Sequence, residues 1–260
     1  IDEGAYEGDK FLDVEILDEI ARDLGHYRPI SYAHGDWPDP ADNGKYEDVV
    51  AKRAYSSCSK HVCIPPFDLN DLATSAMGSK GYWFLQDYVP TLLSAGELRV
   101  FVLGGKIDRV LCTTVNPSGS LNINEISKFP SLDVLEHTVE DDWDLLEVPH
   151  SDEWDEGLKD LQSFVNDHMK ALAKYYSGKW DGPSASNDIV RLDLGLIRDP
   201  ETHRVSYFVN EITRFHMYLF YHTESVDSRL TTFLAHVLNS VRTRWQWKYP
   251  RKVREVEIEY

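Results

Sequence analysis

The stretch "VRLDLGLIRDPETHRVSYFVNEITR", residues 190–214, constrains this chain most. Two apolar, β-branched runs flank Asp199-Pro200-Glu201-Thr202-His203-Arg204, a segment with the chemistry of a turn. Residues 189–197 and 205–212 are therefore predicted strands of one antiparallel hairpin. A turn symmetric about Thr202 sets Asp193 opposite Glu211 and Arg191 opposite Thr213. Opposed Cβ atoms lie roughly 4.5–5.5 Å apart, a spacing at which like charges repel. Two arrangements relieve that repulsion: a hard divalent cation with oxygen ligands, or a hairpin face left open to water. Alternation places Arg191, Asp193, Tyr207, Glu211 and Thr213 on one face, and Leu192, Leu194, Leu196, Phe208 and Ile212 on the other. The polar face is then the working face.

A formal charge of −17 over 260 residues works against a general nucleic-acid or anionic-membrane surface. A polyanionic ligand such as a nucleotide would need local cations and metal. No apolar run approaches the roughly 20 residues that span a bilayer, and no signal peptide is visible. Cys58, Cys63 and Cys112 cannot all pair and match no zinc spacing, which points to reduced thiols in a cytoplasmic protein.

Around the hairpin, residues 11–24 repeat apolar positions at helical spacing, as do residues 152–176. Residues 25–44, rich in Pro, Gly and Asp, read as a loop. Short strands are predicted at 46–53, 61–64 and 82–89, with a helix from 66 to 77 that starts near Asp68. Residues 97–114 form a hairpin on Gly104-Gly105. Residues 115–150 read as irregular and acidic, followed later by a helix at 226–247 and a charged strand at 253–260. This order predicts an α+β fold with largely antiparallel strands.

Four stretches then stand in order: "DVVAKRAYSS" (48–57), "FLQDYVP" (84–90), "GELRVFVLGGKI" (96–107) and "RLDLG" with "YFVNEITR" (191–214). Together they resemble the ATP-grasp superfamily, over roughly residues 46–245. The resemblance implies an ATP-grasp fold of two mostly antiparallel sheets with flanking helices and a nucleotide site between them. It divides the chain into an N-terminal helix and linker (1–45), a small subdomain (46–90) and a large subdomain with the metal site (91–260).

The same resemblance implies an ATP- and Mg²⁺-dependent ligase, with Mn²⁺ as a substitute, that joins a small-molecule or peptide carboxylate to an amine through an acyl phosphate. Lys52 would meet a phosphate, under a loop formed by Ser56 and Ser57. Gln86, Asp87, Tyr88 and Val89 would be the hinge that reads adenine, and Glu97 would hold the ribose. Arg191 and Arg99 would be catalytic groups on the transferred phosphate or the tetrahedral intermediate. Asp193 and Glu211 would ligate the metal. The usual family continuation after this glutamate is glutamate-x-asparagine, whereas Thr213 stands two residues after Glu211 here. Asn210 falls on the opposite face by alternation, so Thr213 is the expected third ligand. The family also places a further phosphate lysine upstream of the stretch that begins near Tyr46. His216, His222 and Arg214, after the hairpin, are candidates for touching a substrate. Each residue also has a plainer reading: a surface lysine, core hinge residues, a solvated turn glutamate, or Arg191–Asp193 and Arg99–Glu97 salt bridges. Other functional readings are a non-catalytic nucleotide-binding or interaction module, an ATP-dependent phosphotransferase, and an ATP-independent metal hydrolase built on Asp193 and Glu211.

Overall fold

The computed structural model describes residues 10–54, 62–73, 83–115, 121–126, 130–137, 154–179, 189–199 and 202–214, with single helical residues at 235, 238 and 242. Ser56, Ser57, His216 and His222, most of the helix predicted at 226–247 and the strand at 253–260 lie outside the described residues.

Helix α1 (Lys10–Leu24) opens the described chain and turns Ile16, Leu17 and Ile20 into the core. It ends where Gly25 takes φ +67°, with His26 N–H donating to the Ala21 carbonyl and Gly25 N–H to that of Arg22. This is a Schellman stop, in which the left-handed glycine lets the chain turn back and satisfy the last carbonyls. Directly after it comes β1 (Ser31–Tyr32), inside the segment expected to be a loop. Two residues flanked by Pro, Gly and Asp give no strand pattern; β1 exists because it pairs with β4.

The first sheet has the order β1-β4-β2-β3, with β2 (Val49–Arg53), β3 (Val62–Cys63) and β4 (Trp83–Asp87). Tyr46 forms an isolated bridge to Phe67 just ahead of β2. The short helix α2 (Leu69–Ala73) starts as predicted beside Asp68, whose carboxylate accepts from the Asn70 and Asp71 N–H groups while Asp71 returns a bond to the Asp68 N–H. Tyr46, Ala51, Phe67, Leu72, Trp83 and Leu85 form this sheet's own apolar cluster.

The second sheet has the order β7-β6-β5-β8-β9, every pair antiparallel. After helix α3 (Thr91–Ser94), β5 (Glu97–Leu103) and β6 (Lys106–Val115) form the expected hairpin, with both Gly104 and Gly105 at positive φ. β7 (Leu121–Ile126) and α4 (Leu132–His137) replace what read as irregular chain. β7 is an edge strand whose Asn122, Asn124 and Glu125 are exposed, so it lacks the apolar alternation that marks a buried strand. Helix α5 (Trp154–Lys179) matches the predicted long helix and buries Leu161, Val165, Met169 and Leu172. β8 (Ile189–Arg198) and β9 (Val205–Arg214) complete the sheet. Its apolar face, including Leu98, Val100, Val110, Leu192 and Leu194, shares one large core with α1, α4 and α5. The expected α+β class and the two antiparallel sheets, four- and five-stranded, are therefore observed. Residues 1–45, read from sequence as a helix and linker, supply α1 to the large core and β1 to the small sheet. No helix among the described residues is long and apolar enough to cross a membrane.

Candidate functional site

At the open end of the hairpin the register is the one expected, with Asp193 paired with Glu211 and Arg191 with Thr213, whereas beside the turn Arg198 pairs with Val205, one residue out of a register symmetric about Thr202. Between Asp193 and Leu194 the register slips by one residue, so Leu194 faces Val209 and Leu196 faces Tyr207. Asn210 is the extra residue of a β-bulge, which bends its strand and re-aims side chains. The predicted face assignment is corrected accordingly. Tyr207 and Val209 join the large core with Ile212, while Phe208 lies opposite Gly195, with its ring edge-on to Tyr27. Asn210 turns into the polar face that alternation had denied it: its Nδ2 donates to Glu97 Oε1 at 2.8 Å and its Oδ1 accepts from Lys52 Nζ at 2.8 Å.

Lys52 reaches Asn210 from the other sheet. Its ammonium also donates to Gln86 Oε1 at 2.7 Å, and Gln86 Nε2 donates to Ser31 Oγ at 2.9 Å. The ammonium is thus held by two neutral amides, with no salt bridge to it among the described residues. Burial drives its pKa down from 10.5 to about 8, opposed by Glu211 and Glu97 and assisted by Arg28 and Lys10. An anion bound beside this ammonium would raise its pKa back toward the ordinary lysine range.

Around it lies a cleft of about 300 Å³ including its open mouth, lined by Lys10, Asp13, Lys52, Phe84, Asn210 and Glu211 among others. Lys10, the first residue of α1, donates to Glu211 Oε2 at 3.1 Å. Sequence reasoning missed Lys10 because it stands at the head of a helix read as an appendage. Lys10 lines the same cleft as Lys52 and lowers its pKa through charge repulsion.

The carboxylates are neutralised from within. Arg191 grips Asp193 through Nε to Oδ1 at 2.7 Å and Nη2 to Oδ2 at 2.6 Å, and Arg191 Nη2 also donates to Thr213 Oγ1 at 3.0 Å. The Arg191–Asp193 bridge of the plainer reading is present, as is Arg99 Nε with Glu97 Oε2 at 3.5 Å. Asp193 is only 2% exposed. Burial raises its pKa, Glu97 and Glu211 raise it further, and Arg191 opposes the shift. The repulsion foreseen between Asp193 and Glu211 is relieved in this arrangement by Arg191 and Lys10. Among the described residues no three of His, Cys, Asp or Glu converge into a metal cluster.

The hinge residues divide. Gln86 turns its side chain to Lys52, and Asp87 binds the Ile30 N–H and the Tyr32 hydroxyl. The N–H groups of Asp87 and Tyr88 donate to the Ile30 and Asp48 carbonyls. Val89 is buried. Glu97 stands beside Asn210 and Arg99, in the same group as Asp193.

No family model and no curated protein matches the chain. Among solved structures it is similar to the D-cycloserine synthetase DcsG, with 20% identity and TM-score 0.44, over 78% of this chain and 62% of that one. It is similar to a D-alanine–D-alanine ligase from Bacillus anthracis, with 14% identity and TM-score 0.47, over 90% of this chain and 69% of that one. A third is the ATP-grasp ligase PsnB complexed with minimal precursor, with 14% identity and TM-score 0.43, over 86% of this chain and 59% of that one. The chain spans less than two thirds of the length of the first and third of these.

Proposed function

We propose that the cleft binds the polyphosphate of ATP and that the protein is an ATP-grasp ligase joining a carboxylate to an amine. The observation that carries this reading is Lys52: an ammonium between two sheets, desolvated, held by two amide oxygens and accompanied by Lys10. A lysine kept for packing would be paired with a carboxylate or extended to water. One kept for a phosphate is held by neutral groups until the charge-assisted bond forms.

The donors also suit a hard cation. Mg²⁺ needs only one or two protein carboxylates when phosphate oxygens complete its shell, and Asp193 and Glu211, paired across the hairpin, would supply them. Asn210, already within reach of Glu97 and Lys52, supplies the amide oxygen that the family motif places two residues after the glutamate. When bound, the metal would neutralise charge on the phosphates. Lys52 and Lys10 orient the phosphate chain, and Arg191 meets the charge that grows on the transferred group. The substrate carboxylate oxygen would attack the terminal phosphorus with loss of ADP. The amine would then attack the acyl carbon, and phosphate would leave. With the Asp87 and Tyr88 N–H groups engaged, a base edge would be read by hinge carbonyls and the N–H of Val89.

Calorimetry of ATP binding with and without Mg²⁺, on the natural chain and on Asp193→Asn/Glu211→Gln, tests the site. Micromolar, Mg²⁺-dependent binding that collapses in the double variant supports it, and a well-folded chain without binding refutes it. A second reading, nucleotide binding without ligation, is favoured by the grip of Arg191 on Asp193. It predicts binding but no ADP release with any carboxylate and amine pair.

A further inference from the structure

β9 lies at the edge of its sheet, and at the bulge that delivers Asn210 one side chain donates to two of its carbonyls. Arg28 Nε donates to the Val209 carbonyl at 3.0 Å, and its Nη2 reaches the Asn210 carbonyl at 3.5 Å. The same guanidinium is tied to α1 through the Val14 carbonyl at 3.4 Å and a salt bridge to Asp18. Its side chain is 3% exposed. A regular ladder continued from Asp193–Glu211 would set Asn210 against Leu194, on the core face. There an amide has no place among Leu192, Leu194 and Ile212.

We propose that Arg28 is a positioning residue for the anion site: by holding the Val209 and Asn210 carbonyls it fixes the bulge, which in turn aims the Asn210 amide at Lys52 and Glu97. Its planar fork suits the task, since it presents several fixed donors to two adjacent carbonyls, which an ammonium cannot do. The anchor on α1 links that helix, and Lys10 at its head, to the geometry of the strand that carries Glu211. The role assigned to Arg28 in nucleotide affinity rests on the proposed ATP site; its control of the bulge does not.

The test has one arm for each. In the first, the side-chain amide resonances of Asn210 are followed by ¹⁵N NMR in the natural chain, Arg28→Lys and Arg28→Met. The proposal expects a shifted, exchange-protected NH₂ pair in the natural chain. In Arg28→Lys, which keeps the charge but not the fork, the pair should move most of the way to its solvent-exposed position. In the second arm, Mg·ADP affinity is measured for Arg28→Lys, Asn210→Ala and the double variant. Each single change should weaken binding by about 10-fold, the scale of one charge-assisted hydrogen bond, and the double variant should be no worse than Asn210→Ala. Unchanged Asn210 resonances in a folded Arg28→Lys would overturn the proposal, as would additive losses in the second arm. If the natural chain does not bind Mg·ADP, the ATP reading fails while the NMR arm still decides the role of Arg28. If Arg28→Met does not fold, Arg28→Lys alone carries the comparison.

Discussion

Binding of a phosphate at Lys52 should take up a proton from solvent, and the amount follows from the pKa of about 8 that burial imposes on this ammonium. An anion returning the group to its ordinary range of about 10.5 would draw in about 0.1 proton at pH 7, about 0.5 at pH 8 and about 0.9 at pH 9. The affinity carries the same signature with a definite sign. Only the charged form binds the phosphate well, so affinity should be flat below pH 8 and fall about tenfold per pH unit above it. Calorimetric titrations of Mg·ADP at each pH, in buffers of different ionisation enthalpy, read the proton count directly. Lys52→Met should abolish the uptake and weaken binding by about 10- to 100-fold. Tight binding with no proton uptake between pH 8 and 9 would refute the argument, because Lys52 would then be either fully charged beforehand or remote from the ligand.

Other consequences follow from buried groups elsewhere. His168, 1% exposed, has its pKa pushed down to about 4, first by burial. The native state therefore holds fewer protons than the unfolded chain between about pH 4 and 6.5, and up to about 3 kcal/mol of stability should drain away as pH falls through that window. Urea midpoints against pH should lose much of this acid limb in His168→Phe, and an unchanged limb would exonerate the histidine. A Cβ added at Gly195 would collide with the Phe208 ring and come within 2.8 Å of Leu92. Gly195→Ala should cost about 1–3 kcal/mol in urea unfolding, and wild-type stability would disprove that close approach. Asp193→Asn removes the bidentate carboxylate from the buried Arg191, leaving Glu211 and Glu97 as its opposing charges, and should cost about 3 kcal/mol, with part of the loss recovered in Arg191→Met/Asp193→Leu. Additive losses in the pair would rule this account out.

Part of the strand geometry that brings these residues together was legible in the sequence. Asp193 does face Glu211 as a turn symmetric about Thr202 predicts, yet the turn-side pairs, such as Arg198 with Val205, are one residue out of that register, and it is the bulge at Asn210 that restores the offset. Tyr207, Phe208 and Asn210 went to the wrong faces because strict alternation was carried through a strand that breaks it. The break did leave a mark: core residues fall at Val205, Tyr207 and Val209, then at Ile212, a change of phase across the polar pair Asn210-Glu211. Lys10 and Arg28 were illegible for a different reason. Each acts on β9 from about 180 or more positions away in sequence, and no local pattern reports a contact made at that range. The short strand β1 is of the same kind, since only pairing with β4 makes it a strand.

The Ser31–Gln86–Lys52 chain sets how narrowly the cleft is tuned. Glutamate has nearly the shape of glutamine, so Gln86→Glu changes little in packing, yet it would put a permanent internal counter-ion on Lys52. Every incoming phosphate would then have to compete with a carboxylate that never leaves. On the proposed reading, a single amide nitrogen separates a cleft that receives phosphate from one occupied by its own wall.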